Sequence, residues 1–113
     1  MERIVLTDRR GRRWQVEVPS TRRERARGLL GRGRLAPRQA LLLRGCRSVH
    51  TFGMTFPIDA VLLDEANVVL CVVRMPPRRL LLPRAGVRHI LECAADSDLR
   101  PGDHLHPTVA LGR

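Results

Sequence analysis

Hydrophobic and polar residues follow one another in short alternating or apolar runs along most of the chain, a pattern typical of β-strands. Residues 14–18 (WQVEV) alternate strictly, as in a strand with one buried face. Residues 68–73 (VVLCVV) are continuously apolar, which favours a strand buried on both faces. Turn-forming residues at 8–11 and 64–67 predict two hairpins. The predicted strands are residues 3–6, 14–18, 40–43, 60–63, 68–73, 89–93 and 104–106.

One segment, at about residues 21–30, predicts a helix. Thr21 and Glu24 have the spacing of a capping box, in which each side chain accepts a hydrogen bond from the other residue's backbone amide. Gly31 is a residue type that ends helices with a positive φ. The apolar residues predicted to dock the helix on a sheet are Ala26, Leu29 and Leu30.

About seven short strands and one short helix predict a mainly β fold, α+β at most, with a compact barrel-like arrangement. The 113 residues, 43% of them hydrophobic, suit a single domain over residues 1–113. Residues 78–83 are predicted to form a loop, and Pro101-Gly102 is predicted to form a type II turn.

The net positive charge lies entirely in the first part of the chain. All 21 basic residues are arginine, and residues 1–47 hold fourteen of them against four acidic residues. Residues 48–113 hold seven arginines and seven acidic residues, so they are neutral. A basic face that includes Arg22, Arg23 and Arg27 could meet an acidic protein or a polyanion, although a solvated arginine-rich face explains the same pattern. Trp14, Phe52 and Phe56 do not interleave with arginine, so we expect no sequence-specific nucleic-acid binding.

The cysteines and the N-terminus predict a cytoplasmic protein. Cys46, Cys71 and Cys93 are odd in number, widely spaced and without a C-x-x-C pair, which argues against a disulfide framework. Cys71 is predicted to be buried in its apolar strand, and Cys46 to be the more accessible thiol. No secretory signal opens the sequence, and no apolar run approaches the ~20 residues of a transmembrane helix.

Five segments in order resemble the domain-of-unknown-function 192 family. They are residues 21–32, with Arg27-Gly28-Leu29-Leu30-Gly31-Arg32; residues 48–54 (SVHTFGM); residues 56–64 (FPIDAVLLD); His89-Ile90-Leu91-Glu92; and Pro101-Gly102-Asp103. The resemblance is strongest over residues 21–103. It implies a small, mainly β, barrel-like domain with a short helix, and it implies no established reaction. Many members look exported, whereas this sequence has no signal.

Residues 46–54 hold the first candidate chemistry. Cys46, His50 and Met54 recur every four residues, and their side chains are soft ligands suited to Cu(I). Positions four apart on a strand lie ~13 Å apart, so a shared ion needs a bend. The competing interpretation makes His50 an edge residue and Met54 a core residue. Cys46 and His50 could also form a thiolate–imidazole pair, but no Asn or Asp lies close in sequence to orient the imidazole.

The candidate binding site also includes two charged residues. Its five members are His50, Met54, Asp59, Cys46 and Arg47. Asp59 lies in the segment that resembles the family, where a carboxylate usually accepts backbone amides in a turn. Arg47 could bind an anion near His50.

These observations favour a non-enzymatic binding or accessory domain, without catalytic residues, cofactor or metal, whose site lies around residues 50–59. The alternative is a weak, sequence-independent binder of nucleic acid or an anionic surface through Arg22, Arg23 and Arg27. A soft-metal or thiol-dependent site at Cys46, His50 and Met54 is the third possibility.

Overall fold

A computed structural model describes residues 1–29 and 32–108 and shows a seven-stranded sheet curled into a half-barrel, with one short helix. The strands are β1 (Glu2–Thr7), β2 (Arg13–Val18), β3 (Gln39–Arg44), β4 (Val49–His50), β5 (Ile58–Leu63), β6 (Val69–Met75), β7 (Leu80–Leu81), β8 (His89–Ala94) and β9 (His106–Pro107). The helix α1 spans Arg22–Arg27, between β2 and β3. The mainly β, barrel-like fold predicted from the sequence is confirmed.

The large sheet has the strand order β6-β5-β8-β3-β2-β1-β9, and β4 and β7 form a separate two-stranded sheet. All pairs are antiparallel except β2 and β3, which run parallel. A parallel pair needs a crossover connection. The segment that contains α1 supplies this connection between β2 and β3.

Two hydrophobic clusters cover the two faces of the sheet. One cluster is built around Trp14, Leu91 and Leu105, and the other around Leu41, Ile58 and Ile90. Strand β5 has all six residues buried because both clusters pack on it. No helix in the described part of the chain is both long and apolar enough to cross a bilayer.

Both predicted hairpins are present, but three local predictions were wrong. Strand β6 is an edge strand that is only partly buried, with Leu70 39% exposed, so it is not covered on both faces. Cys71 on that strand is half-buried, and the buried cysteine is Cys93 at 1% exposure. Residues 80 and 81 form β7 within the predicted loop, because their backbone pairs with β4.

The helix is shorter than predicted. The capping box of Thr21 and Glu24 is present, but α1 ends at Arg27, and Gly28 adopts a φ of 46° as its C-cap. Ala26 is exposed and does not dock on the sheet, whereas Leu29 is buried. The predicted stop at Gly31 and the docking of Leu30 lie outside the described residues.

Candidate functional site

A cavity of about 150 Å³ opens between the end of α1 and the segment that follows β3. Residues 25–29 form one side of it, and residues of the segment 46–54 form the other. Leu43 of β3 and Glu92 of β8 line it from the large sheet. Apart from Glu92, the buried side chains of this lining are apolar, as in many small-molecule sites.

The capping box sets where α1 begins beside the cavity. The Glu24 amide donates to Thr21 Oγ1 at 3.1 Å, and Glu24 Oε1 accepts from the Thr21 amide at 3.2 Å and from the Ser20 amide at 2.9 Å. These hydrogen bonds satisfy amides that a helix start leaves without partners. The Arg25 guanidinium donates to the Arg44 carbonyl at 2.7 Å, which ties α1 to the end of β3.

Gly28 turns the chain so that Leu29 enters the cavity wall. Its φ is positive, and residues other than glycine rarely adopt such a backbone conformation. A Cβ at Gly28 would lie 3.5 Å from the Arg25 carbonyl oxygen and 3.8 Å from Leu41 Cδ2. Space therefore permits a small side chain, and the backbone conformation is what favours glycine here.

Thr51 anchors the segment on the other side of the cavity. It is fully buried, and its hydroxyl donates to the Pro76 carbonyl at 2.7 Å and accepts from the Arg79 amide at 2.8 Å. Its amide donates to the Arg79 carbonyl at 2.9 Å. These contacts hold the segment against the chain that precedes β7. His50, just before Thr51 in sequence, and Met54, three residues after it, both line the cavity.

The structure brings three of the five candidate site residues, Cys46, His50 and Met54, to the cavity. Cys46 Sγ donates to the Ser48 carbonyl at 2.9 Å, and His50 Nδ1 accepts from the Phe52 amide at 3.3 Å. Both groups thus make local hydrogen bonds to the segment's own backbone. Among residues 1–29 and 32–108, no three His, Cys, Asp or Glu side chains are grouped so that they could hold a metal ion.

Glu92 contributes the only buried charged group among the described residues that line this cavity. It is 5% exposed and lies between Leu41 on β3 and Ala60 on β5. Ile90, two residues earlier on β8, belongs to the cluster on the same face. Burial raises the pKa of the Glu92 carboxyl to about 7. We find no ion pair or hydrogen bond between this carboxyl group and the described residues.

Glu92 was not among the candidates predicted from the sequence. Its segment was part of the family resemblance, but no role was assigned to it. The available signal was a single acidic residue inside the apolar run of β8, where an ionisable group needs a reason to be buried. Side chains along β8 point to the two faces of the sheet in turn, but the sequence alone does not say which face opens onto a cavity.

Asp59 lies on the opposite face of the sheet. It precedes Val61 by two residues and shares that residue's face, while the cavity is on the face of Ala60. Arg74 Nε donates to Asp59 Oδ1 at 2.8 Å, and the Ser97 amide donates to Oδ2 at 2.9 Å. The carboxylate therefore anchors the chain after β8 through an amide distant in sequence, not through a local turn, and is not part of the cavity.

The candidate arginines divide between the cavity and the open surface. Arg27 lines the cavity, while Arg22 and Arg23 are exposed on α1. Arg47 is exposed and donates to the Arg84 carbonyl at 3.3 Å. Arg47 is thus near the segment but does not line the cavity.

The sequence profile of the domain-of-unknown-function 192 family, described as an uncharacterized ACR, matches residues 4–106. The chain belongs to this family. No curated protein matches it.

Two crystal structures are similar to this member of the domain-of-unknown-function 192 family. One is a candidate transcription regulator from Sinorhizobium meliloti 1021, with a TM-score of 0.78 and 22% identity over 93% of this chain and 92% of that one. The other is a protein of unknown function from Novosphingobium aromaticivorans DSM 12444, with a TM-score of 0.74 and 20% identity over 92% and 83% of the two chains. At these identities the similarity shows a shared fold.

Three of the five segments that carry the family resemblance meet at the cavity. They are the end of α1, the segment 48–54 and the part of β8 that holds Glu92. The segment 56–64 contains β5, which pairs with β8, and the Pro101-Gly102 turn does not line the cavity. The family-like residues are therefore distant in sequence but adjacent around one concave site.

Proposed function

We propose that this member of the family is a non-enzymatic binding domain that takes a small organic ligand into the cavity around Glu92 and His50. The observation that carries the proposal is a buried carboxyl group facing an apolar cavity that opens to solvent. Cavities of this kind, with apolar walls and few polar groups, are the usual form of small-molecule sites.

The local hydrogen bonds of the cavity residues support binding over thiol catalysis. A nucleophilic cysteine needs a neighbouring base within hydrogen-bond reach. The thiol of Cys46 instead donates to the Ser48 carbonyl, and His50 Nδ1 accepts from the Phe52 amide. Both residues then act as walls and hydrogen-bonding groups of the site.

A fragment screen followed by amide chemical shifts tests the proposal. Ligands should shift the amide signals of residues 25–29, 46–54 and 92, and leave those around Leu105, on the other face, unchanged. The Ala26→Trp variant should block binding because Ala26 lines the cavity. The matched control is Ala85→Trp, at an exposed position that does not line it. Equal binding by both variants would place the ligand site elsewhere.

A second candidate function is weak polyanion binding through Arg22, Arg23 and Arg27. All three side chains are exposed on α1, and no ion pair joins them to any residue the structure describes. By contrast, Arg32 pairs with Glu17 and Arg44 with Glu2. An acidic protein or nucleic acid backbone could use this charge without reading sequence.

We also propose that the protein works in the cytoplasm. Its three cysteines are free thiols, and disulfides are rare in that reducing compartment.

A further inference from the structure

The Glu92 carboxyl group has no counter-charge among the residues that the structure describes. Glu92 is only 5% exposed. Its neighbours on the adjacent strands, Leu41 on β3 and Ala60 on β5, are apolar. Buried carboxylates are normally paired, because an isolated one loses its hydration without compensation. Among the described residues the pairing partner is missing, while the carboxyl group faces the cavity.

The other ionisable groups around the cavity point to solvent or to the backbone. Arg25 and Arg27 come from α1, and Arg25 donates to the Arg44 carbonyl. Cys46 and His50 come from the facing segment and make the backbone contacts described above. The described residues on β3 and β5 next to Glu92 add no charge. The cavity thus presents one buried acid behind a polar, basic mouth.

We propose that the cavity takes a small organic cation, a primary alkylammonium group on a short apolar stem, whose ammonium pairs with ionised Glu92. This inference rests on the proposed binding function and names its ligand class. The stem would contact Leu29, Leu43 and Met54, and a cavity of about 150 Å³ can hold a ligand of roughly six carbon atoms.

A cation fits better than an anion because of where the charges lie. The arginines at the mouth are exposed, so water and salt weaken their repulsion of an incoming cation. The pairing with Glu92 takes place in the buried part of the cavity, where screening is weak. An anion would instead be placed beside Glu92, whose ionisation it would oppose.

The proposed pairing makes binding depend on pH. Burial raises the pKa of Glu92 to about 7, so that below this value a bound cation must displace a proton. Affinity for an alkylammonium should then rise by roughly tenfold per pH unit below ~7 and level off above it. The ligand itself stays charged throughout, since alkylammonium groups titrate near pH ~10.

Three probes of the same shape test the ligand class: n-butylammonium, n-butanol and butyrate. Each is titrated into the full chain at about pH 5.5 and about pH 8, with affinity read from amide chemical shifts. We expect n-butylammonium to bind best, with an affinity at least tenfold higher at the higher pH. Glu92→Gln should weaken it by at least tenfold at pH 8. Glu65→Gln removes the same charge from an exposed turn and should leave it unchanged.

Histidine is the other side chain that commonly changes charge in this pH range, so the series is repeated with His50→Gln. The pH dependence should persist in that variant and vanish in Glu92→Gln. Loss of the dependence in His50→Gln alone would overturn the assignment to Glu92.

The remaining outcomes separate the ligand class from the binding function. Equal or better binding of n-butanol or butyrate at the cavity would overturn the proposal that the ligand is a cation. The cavity would still be a ligand site. If none of the probes or fragments shifted the cavity amides, the binding function itself would be wrong. Circular dichroism of Glu92→Gln confirms that a lost affinity is not lost folding.

Discussion

Glu92 and Asp59 are carboxyl groups on adjacent strands of one sheet, and the face on which each lies decides its chemistry. Asp59 meets Arg74 and the Ser97 amide on one face, so its charge is compensated within the fold. Glu92 meets apolar neighbours and a cavity on the other, and its pKa rises to about 7. The first group is structural, and the second is the one that we propose pairs with a ligand.

The free energy of unfolding should depend on pH because of the titration of Glu92. Its pKa is about 7 in the folded chain against 4.5 for an ordinary glutamate, so the folded state binds more protons between these values. This group therefore lowers stability as the pH rises from ~4.5 to ~7, and no further above that. We expect Glu92→Gln to remove a loss of about 2 kcal/mol between pH 5 and pH 8.

Urea unfolding of the parent chain and of Glu92→Gln at both pH values measures this difference. Glu65→Gln, at an exposed position, is the control and should keep the parent's pH dependence. A parent and a Glu92→Gln variant that lose stability in parallel would show that Glu92 does not titrate as described.

The three cysteines should differ in reactivity according to their burial. Cys93 is 1% exposed, and burial, followed by the charge of Asp59, raises the pKa of its thiol to about 12. Cys46 and Cys71 are half-buried. A thiol reagent applied to the native protein at pH 8 should modify both of them well before Cys93, because the thiolate is the reactive form.

Mass spectrometry of the labelled peptides gives the order of modification. Labelling in urea, where all three thiols are exposed, should remove the difference. Modification of Cys93 at the rate of Cys46 in the native protein would contradict the buried position of Cys93.

Among the elements, the two strands of the central hairpin differ although both read as apolar runs. Strand β5 is covered on both faces, whereas β6 lies at the edge of the sheet and is buried only at its two ends, Val69 and Met75. Along β6, Val69 is 1% exposed and the next residue, Leu70, is 39% exposed. The tolerance of this hairpin to polar substitution should therefore change from one residue to the next.

We expect Val61→Asp and Val69→Asp to unfold the domain. Both valines are buried, and an unpaired carboxylate there costs several kcal/mol against a total stability of ~5–15 kcal/mol. Leu70→Asp is the matched control on β6 and should remain folded, and so should His50→Ala, at an exposed position. Thermal unfolding of the four variants compares them. A collapse of His50→Ala like that of the valine variants would make His50 a structural residue.

At the scale of the whole molecule, the N-terminal arginines differ in whether a described carboxylate pairs with them. Several N-terminal arginines are paired with carboxylates, such as Arg12 with Asp8 and Arg10 with Asp98. The paired arginines contribute to loop structure. Exposed Arg22, Arg23 and Arg27 have no such ion pair among the described residues, and they form the face that we propose meets a polyanion.

Reversal of the charge on α1 tests whether this face binds polyanions. A face that neutralises ~4 phosphates would lose roughly two orders of magnitude in affinity between 50 and 200 mM salt. We expect weak duplex DNA binding of this kind, without sequence preference, and its loss when Arg22, Arg23 and Arg27 are changed to Glu. The control reverses three exposed arginines of the neutral part, Arg78, Arg79 and Arg84, and should weaken binding less.

Measurement of both triple variants across a salt series separates the two surfaces. Equal losses would show that the binding charge is not confined to α1. Tight, sequence-selective binding at physiological salt would require a base-reading element and would contradict a purely electrostatic face.

The sequence by itself determined the elements whose signals are local. The alternation of residues 14–18, the turn between β5 and β6, and the capping box of Thr21 and Glu24 depend on neighbours within a few positions, and all three are present in the structure. The mainly β class followed from these signals. The convergence of Cys46, His50 and Met54 was foreseen only as a possibility that required a bent segment.

Only the tertiary structure decided which strand lies at an edge, where the short helix ends, and which acidic residue faces a cavity. Strand order is set by pairing between segments far apart in sequence, so the run of residues 68–73 could not reveal the partly open side of β6. Likewise, Glu92 and Asp59 both sit in apolar strands. Their different environments arise because β5 and β8 pair in a register that places them on opposite faces of one sheet.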